Sequence, residues 1–422
     1  MLQSPVDSLR LTLTLDSARR ASIVLASTPT LQKNRALTAI ADSLRRNTAD
    51  ILAANRDDLT SGAANGLSAG LLDRLTLDDA RVAALADAVL QIALLTDPVG
   101  EVVRGSSLPN GVKISQVRVP FGVVGVIYEA RPNVTVDIAA LALKSGNAVV
   151  LRGGSAAENT NRVLVALLQT AIESAGLPGD SVQTIDPFGR EGATELMQAR
   201  GQVDVLIPRG SAGLISAVVT QSTVPVIETG AGVVHIFLDE SANRDWAVEI
   251  VHNSKVQRPS VCNAVETLLV HEGAADRVLP AVLARLAASG VTIHGDSRVQ
   301  ALFPDAVPAT EFDWETEYMS LDLAVAVVPG LDEALAHIRR YSTGHTESII
   351  TNDIVNSERF LNEVDSAAVM VNASTRFTDG GEFGFGAEVG ISTQKLHARG
   401  PMGLPELTST KWIVRGTGQV RA

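Results

Sequence analysis

The chain has 422 residues and a mass of 44.3 kDa, and 45% of its residues are apolar and 19% charged. This composition is typical of a globular protein that is large enough for two or three domains. The formal net charge of −12 disfavours binding to nucleic acid or to an anionic membrane surface, because both require a basic face. We therefore expect a small-molecule partner.

A single cysteine, a start that does not resemble a signal peptide and no apolar run of about 20 residues together favour a cytoplasmic protein. The first hundred residues are predicted to be helical, because Leu, Ile and Ala recur at three-to-four spacing in residues 31–59 and 75–95. Residues 101–116 then predict a β-hairpin, with strands at 102–104 and 112–114 on either side of the tight-turn pair Asn110-Gly111.

From residue 122 onward, short β-branched runs alternate with amphipathic helices in two successive series. The strands of the first series are predicted at residues 123–127, 148–151, 182–185, 203–207 and 233–238. Those of the second are predicted at residues 266–271, 291–294, 324–328, 348–351 and 367–371. This rhythm predicts two open, doubly wound α/β domains that meet near residues 236–243. A last strand, at residues 410–414, is predicted to pair outside both sheets.

Cys262 is the only cysteine, so it can form no disulfide within the chain, and no metal site is expected. Two cations precede it, Lys255 and Arg258, and nearby positive charge stabilises the reactive thiolate. Cysteine is also among the most often buried residue types, so inert packing is an equal alternative on position alone.

A thiolate that attacks a carbonyl carbon needs donors for the oxyanion that develops. Asn133 is the best side-chain candidate, because it follows Pro132 at the start of a predicted helix, residues 134–144, just past the strand 123–127. The alternative is that Asn133 only caps this helix, which is a common role of asparagine.

Two glycine-bearing turns follow predicted strands, although the chain has neither a Gly-x-Gly-x-x-Gly fingerprint nor a phosphate loop of the Gly-x-x-x-x-Gly-Lys type. The first turn contains Arg152, Gly153 and Ser155, and the second contains Gly210 and Ser211. Strand ends and helix N-termini of this kind suit a dinucleotide. A cation such as Arg152 favours a 2′-phosphate where an acid would favour a 2′-hydroxyl, unless Arg152 is simply solvated.

Four segments carry longer motifs: VPFGVVGVIYEARPN at residues 119–133, QRPSVCN at 257–263, VNASTRFTDGG at 371–381 and QKLHARGPMG at 394–403. Together they resemble the gamma-glutamyl phosphate reductase family, also called glutamate-5-semialdehyde dehydrogenases, of the aldehyde dehydrogenase superfamily. The resemblance implies an aldehyde dehydrogenase-like α/β fold. It would consist of a nucleotide-binding domain (1–100 and 119–240), a catalytic domain (241–398) and a β-hairpin oligomerisation arm (101–118 and 399–422).

The resemblance also implies a reaction, the NADPH-dependent reduction of L-glutamyl 5-phosphate to L-glutamate 5-semialdehyde and phosphate in proline synthesis. Cys262 would form a thioacyl intermediate, and Asn133 and the backbone N–H of Cys262 would hold the oxyanion. The implied partners are further copies of the chain and, as a candidate, glutamate 5-kinase.

Further site residues follow from the same motifs. Glu228 resembles the glutamate that activates water in oxidising aldehyde dehydrogenases, and here it would line the site or handle protons. Glu317 resembles the glutamate that binds the nicotinamide ribose, or it is an ordinary loop acid. Arg258 would bind the phosphate, and Arg131 and Arg376 the carboxylate, unless they form surface ion pairs. Asn372 and residues 378–381 would shape the substrate end.

The first glycine turn departs from the Lys-Pro-Ser-Glu of the wider superfamily, and the missing acid agrees with NADP(H). Three alternatives remain. The chain could be another acylating or oxidising aldehyde dehydrogenase, or a catalytically silent binding protein of the same fold. A nucleotide-dependent kinase or ligase is disfavoured by the missing phosphate loop.

Overall fold

The structure, a computed structural model, describes residues 5–421, so the ends of the predicted ranges 1–100 and 399–422 lie outside the described residues. The chain divides into two units. Unit 1 contains the chain up to Glu228, residues 384–390 and the chain from Met402 onward; unit 2 contains residues 229–383 and 391–401. The assignment of a nucleotide-binding domain, a catalytic domain and an oligomerisation arm to parts of these units stays a prediction.

The α-helices are, in chain order, α1 Pro5–Leu25, α2 Thr30–Arg46, α3 Thr48–Ala64, α4 Ala69–Leu75, α5 Asp79–Leu94, α6 Pro132–Lys144, α7 Glu158–Ser174, α8 Gly189–Gln198, α9 Ala212–Gln221, α10 Arg244–Val256, α11 Glu272–Ala287, α12 Ser297–Leu302, α13 Glu311–Glu315, α14 Leu331–Tyr341 and α15 Ile354–Glu363. The strands are β1 Val102–Ser107, β2 Lys113–Pro120, β3 Val123–Tyr128, β4 Ala148–Arg152, β5 Val182–Thr184, β6 Val205–Arg209, β7 Val234–Leu238, β8 Val265–His271, β9 Thr292–Gly295, β10 Val307–Pro308, β11 Asp322–Val328, β12 Thr346–Ile350, β13 Ala368–Val371, β14 Ile391–Ser392, β15 Gly400–Pro401 and β16 Thr408–Arg415.

The helical start of unit 1 is confirmed, with one difference. The predicted helix over residues 31–59 is two helices, α2 and α3, because the chain leaves the helical conformation at Asn47, whose φ is −110°. A buried ion pair holds this region together: Lys33 Nζ lies 2.5 Å from Asp97 Oδ2. No helix of residues 5–421 is both long and apolar enough to cross a membrane.

The central sheet of unit 1 has four parallel strands in the order β5-β4-β3-β6, and every residue of β3 is buried. The chain moves outward from β3 through β4 to β5, and then returns to the other side of β3 as β6. The order therefore reverses between β3 and β6. In open α/β sheets, the crevice beyond the carboxyl ends of two such strands is the usual ligand site.

The predicted hairpin and the predicted last strand form a separate antiparallel sheet in unit 1, in the order β1-β2-β16. The turn is closed by a hydrogen bond from the Leu108 N–H to the Val112 oxygen at 2.8 Å, and Gly111 has a φ of 88°. All six residues of β1 are exposed, whereas β2 and β16 each have one buried residue, Val117 and Thr408.

Unit 2 contains a seven-stranded parallel sheet in the order β10-β9-β11-β8-β7-β12-β13. Alternate residues of a strand face opposite layers. Ile236 therefore packs with α10 and α11, whereas its neighbour Phe237 packs with α14 and α15. The expectation that residues 233–238 close the first series is wrong, because β7 pairs with β8 and β12. An apolar run identifies a buried strand but does not reveal its sheet.

Candidate functional site

Cys262 lies in unit 2, in the turn between α10 and β8, and it is half-buried. A hydrogen bond from the Ala264 N–H to the Val261 oxygen at 3.0 Å closes the turn. Because the thiol precedes its strand, it lies at the amino edge of the seven-stranded sheet. A half-buried thiol in a turn favours the nucleophile over inert packing in a core.

The residue after the thiol ties the turn to the predicted substrate loop. The Nδ2 of the buried Asn263 donates to the Thr378 oxygen at 2.8 Å, and the Thr375 hydroxyl donates to the Asn263 oxygen at 2.7 Å. Thr378, the first residue of the predicted substrate loop 378–381, is therefore brought to the residue next to Cys262. Sequence analysis did not single out Asn263 or Thr375, since their partners lie more than a hundred residues away in the chain.

Gly232 packs directly on the backbone of Cys262. A Cβ at Gly232 would collide with the Cys262 carbonyl oxygen, so no side chain fits there. The N–H of Gly232 also donates to Glu317 Oε1 at 2.8 Å. Through Gly232, the predicted ribose-binding carboxylate of Glu317 is thus linked to the backbone that carries the thiol.

Lys255, one of the two cations that precede the thiol, is paired with a carboxylate. Its side chain is fully buried, and its Nζ lies 2.5 Å from Oε2 of the equally buried Glu266. Burial raises the pKa of Glu266 to about 8, against the opposing effect of Lys255, and burial lowers the pKa of Lys255. The lysine is therefore paired with a carboxylate in the interior.

Arg258 and Arg376 are the two arginines that the motifs of unit 2 contribute to the predicted substrate site. Arg376 is half-buried, and its Nε donates to Gln257 Oε1 at 2.9 Å. Burial lowers the pKa of Arg376, Asp379 raises it, and Arg258 and Cys262 are the next groups that act on this guanidinium. Arg258 and the thiol therefore both lie within electrostatic reach of Arg376. An arginine stays charged under ordinary conditions, so this arrangement favours the thiolate.

Asn372 is not brought to the thiol. It follows β13 at the carboxyl edge of the sheet, whereas Cys262 lies at the amino edge. Its Nδ2 donates to the Thr351 oxygen and its Oδ1 accepts the Thr351 N–H, both at 2.9 Å. The side chain therefore continues the pairing of β12 with β13 beyond their ends. This placement gives no support to the predicted role in substrate binding.

Asn133 lies in unit 1, past the carboxyl end of β3, but it does not cap the helix. Arg131 is the N-cap residue of α6, and Asn133 lies exposed in the first turn. Its Nδ2 donates to Asp137 Oδ2 at 3.2 Å, one turn further along. The alternative of a simple cap is therefore wrong, and Asp137, whose pKa is raised to about 6 by burial, orients the exposed amide.

The backbone between β3 and α6 is strained. Ala130 has a φ of 42°, a conformation that residues with a Cβ rarely adopt. This turn leads the chain from β3 to Arg131 and Asn133, so both residues lie at the crevice between β3 and β6. Arg131 is in unit 1, whereas Arg258 and Arg376 are in unit 2.

Gly210 and Ser211 lie where β6 leads into α9, on the other side of the same crevice. The Ser211 hydroxyl accepts the Leu214 N–H at 3.4 Å and caps the helix. The Ser211 N–H donates to Glu129 Oε2, from the end of β3, at 2.9 Å. Glu129 accepts only the N–H of the N-cap residue, so it leaves the N–H groups of the first turn of α9 to the phosphates of a dinucleotide. These residues fit a nicotinamide cofactor.

Arg152 ends β4, the strand next to β3. In dinucleotide-binding sheets, this strand end is where the adenosine ribose is recognised. The Arg152 Nε donates to the Gly189 oxygen at 3.4 Å, and Nη1 contacts the Gly153 oxygen. A Cβ at Gly153 would collide with Asn161 Nδ2, and Ser155 is exposed at the start of a short 3₁₀ turn.

The amino end of α7, the helix that follows the turn of Arg152, has no free N–H groups to offer a phosphate at Asn159 and Thr160. The carboxylate of the buried Asp58, on α3, accepts the N–H groups of Asn159 and Thr160 at 3.1 and 2.8 Å, and the Thr160 hydroxyl at 2.6 Å. A carboxylate of the protein itself therefore caps the amino end of α7. Of the two glycine turns, the one before α9 is the better phosphate site.

The expectation that no acid lies near Arg152 is wrong. Asp186, just past the carboxyl end of β5, accepts Asn161 Nδ2 at 3.3 Å and the backbone N–H of Gly153. Burial raises the pKa of Asp186 to about 6, and Asn161 and Arg152 oppose this rise. Sequence analysis missed Asp186 because it comes from the neighbouring strand, more than thirty residues after Arg152.

Glu228 is the last residue of the first segment of unit 1, and it is half-buried. The segment that carries it runs along β6, since the Ile227 N–H donates to the Leu206 oxygen at 2.9 Å. Its role stays a prediction.

Comparison with known proteins identifies the family. Residues 10–301 match the aldehyde dehydrogenase family. The chain is 70% identical to the gamma-glutamyl phosphate reductase of Leifsonia xyli subsp. xyli over 406 residues, which cover 96% of each chain. It is 61% identical to that of Thermobifida fusca, over 96% of this chain and 97% of the relative.

The fold agrees with these sequence matches. The crystal structure of gamma-glutamyl phosphate reductase from Thermotoga maritima matches with a TM-score of 0.94 at 48% identity, over 98% of this chain and all of that one. The aldehyde dehydrogenase-like α/β fold is confirmed. The chain belongs to the gamma-glutamyl phosphate reductase family of the aldehyde dehydrogenases.

Proposed function

We propose that this protein reduces L-glutamyl 5-phosphate to L-glutamate 5-semialdehyde and phosphate with NADPH, the second step of proline synthesis from glutamate. The observation that carries the proposal is the Cys262 turn with Arg258 and Arg376 beside it. It lies in a chain 70% identical to a gamma-glutamyl phosphate reductase. The enzyme is an oxidoreductase that acts on an acyl phosphate.

The reaction begins at the thiolate. Arg258 and Arg376 favour the charged form of Cys262, whose sulfur attacks the acyl carbon of the substrate. A carbon–sulfur bond forms, the bond from this carbon to the phosphate oxygen breaks, and phosphate leaves toward Arg258. We assign the oxyanion donors to the backbone N–H of Cys262 and the amide of Asn133. Arg131 and Arg376 are assigned to the substrate carboxylate, and residues 378–381 to the substrate end.

When bound, the nicotinamide cofactor supplies a hydride to the thioacyl carbon. The resulting thiohemiacetal collapses, so the aldehyde leaves and Cys262 returns to its thiolate form. Gly210 and Ser211 are assigned to the cofactor phosphates, Glu317 to the nicotinamide ribose, and Arg152, Gly153 and Ser155 to the adenosine ribose. Glu228 lines the site and does not activate water, because hydrolysis of the thioacyl intermediate would waste the substrate.

NADPH is assigned as the cofactor because Arg152 lies at the strand end that recognises the adenosine ribose. A biosynthetic reduction that depends on a free thiol suits the cytoplasm, where thiols stay reduced.

We assign the sheet β1-β2-β16 to contacts between copies of the chain. Its apolar side chains are exposed: Val102 by 60%, Trp412 by 49% and Val414 by 64%. A three-stranded sheet is stable in water when one face is covered. The double variant Trp412→Glu/Val414→Glu should lower the mass measured by light scattering, and an unchanged mass would count against this assignment.

Glutamate 5-kinase is proposed as a partner because an acyl phosphate hydrolyses readily in water. If the two enzymes transfer it directly, added hydroxylamine, which traps free acyl phosphate, should leave the coupled flux unchanged. Complete trapping would exclude direct transfer.

One measurement tests substrate, cofactor and reaction class together: the phosphate-dependent reduction of NADP by glutamate 5-semialdehyde. Simple aldehydes and NAD serve as controls. Turnover of simple aldehydes without phosphate would indicate another acylating or oxidising aldehyde dehydrogenase, and no turnover of any aldehyde would indicate a silent binding protein.

A further inference from the structure

Asp186 is an acid that the proposed reaction leaves without a role, and it lies at the turn assigned to the adenosine ribose. Its Oδ2 accepts Asn161 Nδ2 at 3.3 Å, and the carboxylate also accepts the N–H of Gly153. Its Oδ1 is buried and has no hydrogen-bond partner among residues 5–421. The Asp186 carboxylate therefore binds the backbone of the turn that follows Arg152.

The surroundings of Asp186 hold this carboxylate in place. Thr135 donates its hydroxyl to Asn161 Oδ1 at 2.8 Å and lies 2.6 Å from the Tyr128 hydroxyl, and all three side chains are buried. Asn161 is therefore fixed with its Nδ2 toward Asp186. A carboxylate set by a buried polar network keeps its position when a ligand binds.

The charge of Asp186 acts on Arg152. A guanidinium binds a phosphate by charge-assisted hydrogen bonds, and a nearby carboxylate offsets part of its positive charge. A 2′-hydroxyl carries no charge, and Asp186 does not accept its hydrogen bond, because Oδ1 is buried and Oδ2 is bound to Asn161. The same carboxylate therefore hardly affects NADH binding. Asp186 should consequently weaken NADPH binding and leave NADH binding almost unchanged.

We propose that Asp186 is a specificity-determining residue that limits the preference of this enzyme for NADPH over NADH, by opposing Arg152 at the 2′ position of the cofactor. The inference rests on the proposed function, since it takes Arg152 as the residue that meets the 2′-phosphate.

The test is the variant Asp186→Asn, compared with Asp180→Asn. Asparagine keeps an oxygen for Asn161 and the Gly153 N–H, removes the charge and places an NH2 group where Oδ1 is buried. Asp180 is exposed and precedes β5, whereas Asp186 follows it, so the control removes the same charge at the opposite end of that strand. Dissociation constants of NADPH and NADH, measured by nucleotide fluorescence, do not depend on turnover. They remain informative even if the proposed substrate is wrong.

Asp186→Asn should raise the ratio of NADPH affinity to NADH affinity by roughly threefold to thirtyfold, mainly through tighter NADPH binding. Asp180→Asn should leave the ratio within about twofold of the unaltered protein. A ratio that falls or stays unchanged in Asp186→Asn, with an unaltered melting temperature, would overturn the proposal. Equal changes in both dissociation constants would mean that Asp186 only supports the turn.

The pH dependence provides a second readout. The charged and titratable groups around Asp186 are Arg152, which stays charged, and Tyr128, whose pKa burial raises far above its usual value. The pKa of Asp186 itself is raised to about 6, so Asp186 is ionised at pH 8 and largely neutral at pH 5. The NADPH dissociation constants of the unaltered protein and of Asp186→Asn should therefore differ at pH 8 and converge at pH 5. The titration of the 2′-phosphate in free NADPH is the same in both measurements and cancels, and a constant difference would contradict the proposal.

Discussion

The two parallel sheets carry their candidate functional residues on opposite edges. In unit 1, Asn133 and Ser211 follow the carboxyl ends of β3 and β6, and Arg152 is the last residue of β4. In unit 2, Cys262 precedes β8 and Glu317 precedes β11, at the amino edge. A nucleotide-binding sheet uses its carboxyl edge because helix N-termini gather there. A thiol nucleophile depends on nearby cations, and in unit 2 these are arginine side chains.

The charges at the two edges also differ. At the carboxyl edge in unit 1, Glu129, Asp137 and Asp186 bind N–H donors of the protein. At the turn in unit 2, Arg376 lies within electrostatic reach of Arg258 and of the Cys262 thiol, the group that becomes an anion. The comparison indicates that anionic cofactor groups compete with carboxylates of unit 1, whereas the thiolate of unit 2 is favoured before any substrate binds.

The largest effect is expected from Cys262→Ser. The variant should lose turnover by about 10³-fold or more, because a serine hydroxyl is not ionised near neutral pH. Cofactor binding should stay near normal, since most residues assigned to the cofactor lie in unit 1. Steady-state rates with glutamate 5-semialdehyde, phosphate and NADP, together with an NADPH titration, measure both. Near-normal rates would show that Cys262 is not the nucleophile.

Asn133→Ala should lower kcat by about 10²-fold to 10³-fold, as expected for loss of an oxyanion donor. Asp137→Asn should lower it by only about tenfold, because Asp137 orients the amide without touching the substrate. Single-turnover rates separate the chemical step from binding. Equal effects of the two variants, or an effect on KM alone, would contradict the assignment of Asn133.

Gly232→Ala should lower kcat by about 10²-fold, because the new methyl group displaces the Cys262 carbonyl and, with it, the thiol. The control is Gly70→Ala in α4, where a Cβ meets no atom within 4 Å. That variant should keep full activity and gain up to about 1 kcal/mol of stability. The measurements are steady-state rates and melting temperatures of both variants. A fully active Gly232→Ala would show that the contact between Gly232 and Cys262 does not position the thiol.

The smallest effect is expected from Arg376→Gln. Loss of one of two cations should slow alkylation of Cys262 by iodoacetamide by roughly tenfold. Arg298→Gln is the control, since Arg298 pairs with Asp276 on the surface at 3.5 Å. If both variants react at the rate of the unaltered protein, Arg376 does not stabilise the thiolate.

The sequence predicted most of the fold because its patterns are local. The apolar periodicity of residues 75–95, the Asn110-Gly111 turn and the alternating strands and helices all correspond to observed elements. The predictions are wrong where the outcome depends on which distant segments pair with each other. Residues 233–238 were recognised as a strand but assigned to the wrong series, because pairing with β8 and β12 is not a property of the strand itself.

The same distinction holds for the candidate site. Sequence alone determined the family, the thiol in its motif and the cations around it, because these are properties of contiguous residues. Only the tertiary structure decided which groups meet. Glu266 pairs with Lys255, Gly232 packs on Cys262, Asp58 caps the amino end of α7 and Asp186 lies at the turn of Arg152. Electrostatic and steric contacts act through space, and their partners are separated along the chain by up to about a hundred residues, so no local pattern reveals them.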